Sequence, residues 1–305
     1  MQTAADKQVT KKRGNRFGFW FFRILVRVTG LRGAYGFVYI VCFYYFLFDR
    51  QAVRSALPYI QRRFPKAGLL KRYGYVYLLF VNQGKNLIDR FALISGYEPF
   101  KITFQGIETI KELLRSEHGF ILLTSHVGNW QVVMNALEKL EKKVYLLMRA
   151  EDNNAVQNAL KVDQEHGNIH VITTDKYLGG VVEMMQVLSE GQIVSIMGDR
   201  SYNSDQVEVT LLGEKAYLPY SAFRIAAGAQ SPVAVLFSAK VDPLSYEVEI
   251  ARVIEPKMSR TGTATERWGP SVQEYAFALE GFLDRFPLQY YIFENIWEKS
   301  NAKNK

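Results

Sequence analysis

His126 lies in the run LLTSHVGNWQ, where an apolar stretch gives way to a helical pattern. A histidine at such a turn can serve as a general base near neutral pH, and backbone amides at the helix start can point at a ligand. The chemistry this suits is removal of a proton from a hydroxyl, which makes its oxygen a nucleophile. Two other polar groups also follow apolar runs: Arg149 in YLLMRAEDNN, and Asp199 with Arg200 in GDRSYN. Taken singly, each also has a plainer reading, as a structural histidine, a surface cation and a structural ion pair. His118, His166 and His170 sit in no motif and read as structural, and Pro219 reads as a turn former. The sequence has no phosphate-binding glycine loop, metal-ligand triad or Gly-x-Ser-x-Gly elbow, which disfavours nucleotide use, metal-dependent hydrolysis and serine-hydrolase chemistry.

The elements that must carry these residues alternate. Residues 50–95 have a helical apolar spacing through Tyr59, Phe64, Leu69, Leu70, Tyr73, Tyr77 and Leu78. ETIKELLRSEHG then reads as a helix ending at Gly119, followed by the short buried strand FILLTSH. The alternation continues with helix NWQVVMNALEKLEK, strand KVYLLMR, helix NNAVQNALKVDQEHG, strand IHVIT, helix GGVVEMMQVLSEG and strand QIVSIMGD. Helix YSAFRIAAGAQ and strands PVAVLFSAK and YEVEIARVI follow, then a helix over 269–285 and the aromatic tail PLQYYIFENIW. This order predicts an α/β fold with a mainly parallel or mixed sheet flanked by helices. Sites in such sheets lie beyond the C-terminal strand ends, so His126, Arg149 and Asp199 should converge on one sheet edge.

The 305 residues suffice for one large domain, are 48% hydrophobic and 14% aromatic, and carry a formal charge of +8. That composition is too apolar for disorder, while a mean hydropathy of −0.09 argues against a multi-span membrane protein. The basic balance implies an anionic partner. Nucleic acid fits poorly, because there is no zinc cluster, basic zipper or aromatic RNA-binding signature, and the basic residues of the first ninety positions are interleaved with apolar ones. Cys42 is the only cysteine, which excludes an internal disulfide, and it reads as a packed apolar side chain.

From Phe17 to Phe48 the chain is almost wholly apolar, divided by Arg23, Arg27 and Arg32, and the uncharged remainder Gly33–Phe48 has sixteen residues. That is short of the ~20 needed to span a bilayer upright. No cleavage site follows, so it is not a secretory signal. Basic residues on both sides favour an in-plane or re-entrant segment; a single span and a buried core hairpin are the alternatives. Residues 1–50 are therefore expected to form a membrane-associated helical segment and 51–305 the catalytic domain.

Together SHVGNWQ, YLLMRAEDNN, GDRSYN, LLGEKAYLPYSAFRIAAGAQSPV and YYIFENIW resemble the lysophospholipid acyltransferase superfamily, in particular its lipid A lauroyl and myristoyl acyltransferase branch. The likeness begins in the N-terminal segment, is densest from SHVGNWQ and continues through residue 297. It implies a glycerol-3-phosphate acyltransferase-like fold, His126 as base and Arg149 as a stabiliser of the oxyanion. Asn129, Asp199 and Arg200 would bind substrate. It further implies an acyl thioester donor, on acyl carrier protein or coenzyme A, and no cofactor. The acceptor would be a membrane glycolipid or lysolipid, at the cytoplasmic face of a bacterial inner membrane.

The hallmark of that superfamily is His, four residues, then Asp or Glu, and here the last position is Gln131. A neutral amide can accept the Nδ1 hydrogen bond but supplies no charge to the imidazolium, a loss on the order of 2–4 kcal/mol if nothing compensates. Three readings follow: a slower enzyme using Gln131, an enzyme whose acid comes from elsewhere with Asp199 as a candidate, and an inactive lipid-binding or scaffold relative.

Overall fold

In a computed structural model the described residues are 16–94, 100–130, 132, 142–148, 168–174, 180–200, 205–257 and 261–299. Three helices lead: α1 (Arg16–Phe48), α2 (Arg50–Arg63) and α3 (Leu69–Ile94). Then come β1 (Lys101–Gln105), α4 (Ile107–Arg115), β2 (Phe120–Thr124), β3 (Val144–Met148), β4 (Ile169–Thr173), α5 (Val181–Ser189) and β5 (Ile193–Met197). The remainder is β6 (Gln206–Leu211), β7 (Glu214–Pro219), α6 (Ser221–Gly228), β8 (Val233–Asp242), β9 (Ser245–Ile254) and α7 (Ala264–Arg285).

Seven strands form one sheet in the order β1-β9-β8-β2-β5-β3-β4. Every neighbouring pair is parallel except β8 with β9, so the expected mainly parallel α/β fold is what forms. All five residues of β2 are buried, as a strand covered on both faces requires. Their side chains alternate: Ile121 and Leu123 join one apolar cluster with Val194, Val235, Phe237 and α7, and Phe120 and Leu122 join another with Val144, Ile193 and Leu236. Burying each such side chain stabilises the fold by about 1.5–3 kcal/mol.

Four boundaries differ from the sequence reading, each for a local reason. The helical stretch 50–95 breaks at Phe64, because Pro65 disfavours helical backbone in the residue before it. KITFQ, which precedes the helix ETIKELLRSEHG, forms an additional strand, β1, that pairs in parallel with β9. The segment before Tyr220 contains an antiparallel hairpin, β6–β7, turned by Leu212 and Gly213, both at positive φ. The last helix starts at Ala264 rather than 269, because Thr263 and Glu266 form a reciprocal capping box. The helices expected over NWQVVMNALEKLEK and NNAVQNALKVDQEHG fall largely or wholly outside the described residues.

α1 is kinked at Gly30 (φ 67°, ψ −178°) and beyond it runs along α3. The approach is close enough that a Cβ on Gly84 would come within 2.7 Å of Val38. A buried polar cluster fastens the two helices to the sheet. Asp89 of α3 accepts hydrogen bonds from Tyr35 of α1 and Tyr246 of β9, and an ion pair at 2.5 Å from Lys240 of β8. Burial pushes the Asp89 carboxyl up and the Lys240 ammonium down, each against the attraction of the other.

Candidate active site

β2 and β5 are parallel neighbours, with Thr124 opposite Met197. Each ends there, and the amide of Gly198 extends the ladder by donating to the Thr124 carbonyl at 2.8 Å. His126 and Asp199 are each the second residue past their strand, so the register sets them side by side. The Asp199 carboxylate grips the histidine twice: Oδ2 accepts from the His126 backbone amide at 2.8 Å, and Oδ1 lies 2.7 Å from Nδ1. Asp199 is fully buried and the His126 side chain is 22% exposed.

Burial alone would raise the Asp199 carboxyl. The charge of His126, the two hydrogen bonds and the nearby Arg200 guanidinium outweigh it and hold the group below its ordinary range. A carboxylate on Nδ1 fixes the proton there and makes Nε2 the basic nitrogen of the neutral ring. It also stabilises the imidazolium once Nε2 takes up a proton. Such an arrangement can act as a general base with a carboxylate partner.

The turn that carries His126 is fastened from three sides. The C-terminal tail brackets it: the Tyr291 amide donates to the His126 carbonyl at 2.7 Å, and the Gly128 amide donates to the Gln289 carbonyl at 2.9 Å. Asn86 of α3 donates to the Gly128 carbonyl at 2.6 Å. Under the turn, Ser125 Oγ and Tyr275 Oη of α7 are 2.6 Å apart, and the tyrosine reaches the Thr124 carbonyl at 3.3 Å. Gly128 has φ 51°, and a Cβ there would sit 1.6 Å from the Ser238 carbonyl oxygen, so only glycine fits.

Of the residues singled out in the sequence, His126, Asp199 and Arg200 are brought together. Arg200 is half-buried and donates from Nη2 to the Tyr291 carbonyl at 2.8 Å. Asn129 is buried: its amide donates to Ser238 Oγ at 3.0 Å, and its Nδ2 lies 3.3 Å from both the Asn86 carbonyl and Tyr246 Oη. Gln131 and Arg149 lie outside the described residues. Asn86, Tyr275 and Gln289 were not legible as site residues. Each acts on a neighbour more than forty positions away, and no spacing announces that. Among the described residues no group of three His, Cys, Asp or Glu could hold a metal ion.

The family model described as bacterial lipid A biosynthesis acyltransferase matches residues 92–299, which include the turn, both strands and the tail. No curated protein matches the chain. Among solved structures, the 1-acyl-sn-glycerophosphate (LPA) acyltransferase PlsC from Thermotoga maritima is similar at 11% identity and a TM-score of 0.41, over 83% of this chain and 98% of that one. So distant a likeness adds nothing to the family match.

Proposed function

Because the chain belongs to the bacterial lipid A biosynthesis acyltransferase family, we propose that it moves a fatty acyl group from a thioester to a hydroxyl of a membrane glycolipid or lysolipid, with His126 and Asp199 as the catalytic dyad. The observation that carries this reading is the 2.7 Å contact between His126 Nδ1 and a fully buried carboxylate.

In the proposed reaction, His126 Nε2 takes the proton of the acceptor hydroxyl as its oxygen attacks the thioester carbonyl. Charge builds on the carbonyl oxygen, where Arg149 and the turn amides would steady it. The carbon–sulfur bond then breaks, and the departing thiolate recovers the proton from the imidazolium. No covalent acyl-enzyme is required. Asp199 supplies the charge that Gln131 lacks, which supports an active enzyme over a silent lipid-binding relative.

The donor is proposed to be acyl carrier protein, since a chain of charge +8 suits an acidic carrier; coenzyme A is the alternative. The place of work is proposed to be the cytoplasmic face of the inner membrane. Purified protein incubated with radiolabelled acyl carrier protein and membrane lipid extract tests the function. Label should pass to lipid with the wild type and not with His126→Ala. No transfer by folded wild-type protein from either donor would favour the silent relative.

A further inference from the structure

Tyr275 of α7 carries its hydroxyl into an apolar shell. The residue is fully buried, and its ring packs on Phe223 of α6 and Phe237 of β8. Val272, Ala276, Leu279 and Phe282, at helical spacing around it, are buried too and anchor the same face of the helix. A phenylalanine would fill the place and avoid the cost of taking a hydroxyl out of water. The hydroxyl therefore needs a reason beyond packing.

Its contacts supply one. Tyr275 Oη donates to the Thr124 carbonyl at 3.3 Å and lies 2.6 Å from Ser125 Oγ. With its one proton on the carbonyl, Oη accepts from the serine, so neither hydroxyl is left unpaired. The Thr124 carbonyl also accepts from the Gly198 amide at 2.8 Å. One carbonyl oxygen thus joins α7 to the ends of β2 and β5. The ring lies against Gly198 as well: a Cβ on that glycine would come within 3.3 Å of Tyr275 Cζ. Ser125 immediately precedes His126, and Gly198 immediately precedes Asp199. A single side chain therefore bears on the residue before each member of the dyad.

Two further observations fit a fixed support. Burial, with Asp199 nearby, pushes the Tyr275 hydroxyl well above its ordinary range, so it stays a protonated donor at any working pH. The dyad contact is short, 2.7 Å between Nδ1 and Oδ1, and tolerates little movement of either strand end.

We propose that Tyr275 is a positioning residue for the dyad: through Ser125 and the Thr124 carbonyl on one side and Gly198 on the other, it sets the height of His126 against Asp199. This goes beyond the reading of that pair as catalytic and rests on it. Without the hydroxyl the turn after β2 loses its support from below and the Nδ1 contact lengthens. The chemical step then slows, while substrate is held as before.

The test uses the full-length protein with Tyr275→Phe, with Ser125→Ala and, as a control, with Tyr59→Phe. The control removes another buried tyrosine–carbonyl hydrogen bond, to Pro287 at 2.6 Å. Each protein is assayed for acyl transfer from labelled acyl carrier protein to membrane lipid extract. Proton NMR follows the low-field His126 Nδ1 proton, assigned by its loss in His126→Gln. Tyr275→Phe should lower kcat by about 10- to 100-fold with KM within about twofold, and should move the Nδ1 signal upfield. Ser125→Ala should move the signal the same way and by less, and Tyr59→Phe should keep the wild-type kcat and signal. A wild-type kcat and signal in Tyr275→Phe, or in Ser125→Ala should Tyr275→Phe not fold, would overturn the proposal. So would a rise in KM alone, or an equal shift of the signal in Tyr59→Phe. The NMR signal separates the two readings. A shift confined to Tyr275→Phe and Ser125→Ala, when the wild type transfers no acyl group, removes the enzymatic reading alone. Acyl transfer with an unmoved signal removes the positioning role alone.

Discussion

His126 and Asp199 are 73 residues apart in sequence, yet Nδ1 of one lies 2.7 Å from Oδ1 of the other. Each stands two positions beyond a strand end that the parallel register sets level. The pairing is thus a property of the sheet, and it supplies the carboxylate absent from position 131.

Asp199 should make stability depend on pH in a defined direction. Its carboxyl is held below its ordinary value of 3.8 in the folded chain. A depressed carboxyl stabilises the fold at every pH above its unfolded value and stops doing so as pH falls through the folded value. Denaturant unfolding of wild type and Asp199→Asn should therefore show a gap that is widest at pH 5–7 and closes below about pH 4. A gap of constant size across that range would contradict the charge assigned to Asp199.

The Asp89–Lys240 pair should behave as one unit. Removing one partner leaves the other charge buried, at a cost of about 3–5 kcal/mol. Asp89→Leu and Lys240→Met should each lower the unfolding free energy by that order, while the double variant should lose less than the two single losses added together. Additive losses in a double-mutant cycle would mean that the two side chains are not coupled.

Gly128 and Gly213 provide a matched contrast, since both have positive φ. A Cβ on Gly128 collides with the Ser238 carbonyl, whereas one on Gly213 meets nothing within 4 Å. Gly213→Ala should cost about 1–2 kcal/mol, the strain of a left-handed alanine. Gly128→Ala should cost more and should also lower acyl transfer, because the turn holding His126 must shift. Equal melting temperatures for the two variants would remove the close approach as an explanation.

Much of this was written in the chain. The strands FILLT, IHVIT and VAVLF stand out by length and apolar content, and their alternation with helices implied a parallel sheet whose C-terminal edge would collect His126 and Asp199. Some missed features also left signals. Val207, Val209 and Leu211 alternate before Leu212 and Gly213, and Thr263 precedes Glu266 by three. Other features leave none. Tyr291 holds the His126 carbonyl through its backbone amide, which any residue but proline has. That Asp199 meets Nδ1 depends on strand register, which local pattern does not set.

The most direct test of the dyad compares kcat/KM for acyl transfer in wild type, Asp199→Asn, Gln131→Ala and Gln131→Glu, each checked for folding. Asp199→Asn should lose on the order of 10²- to 10⁴-fold, since a neutral amide neither fixes the ring tautomer nor stabilises the imidazolium. Both changes at 131 should stay within roughly threefold of wild type, or about 0.6 kcal/mol. A large loss at Gln131→Ala or a large gain at Gln131→Glu, with Asp199→Asn near full rate, would show that the acid partner of His126 is not Asp199.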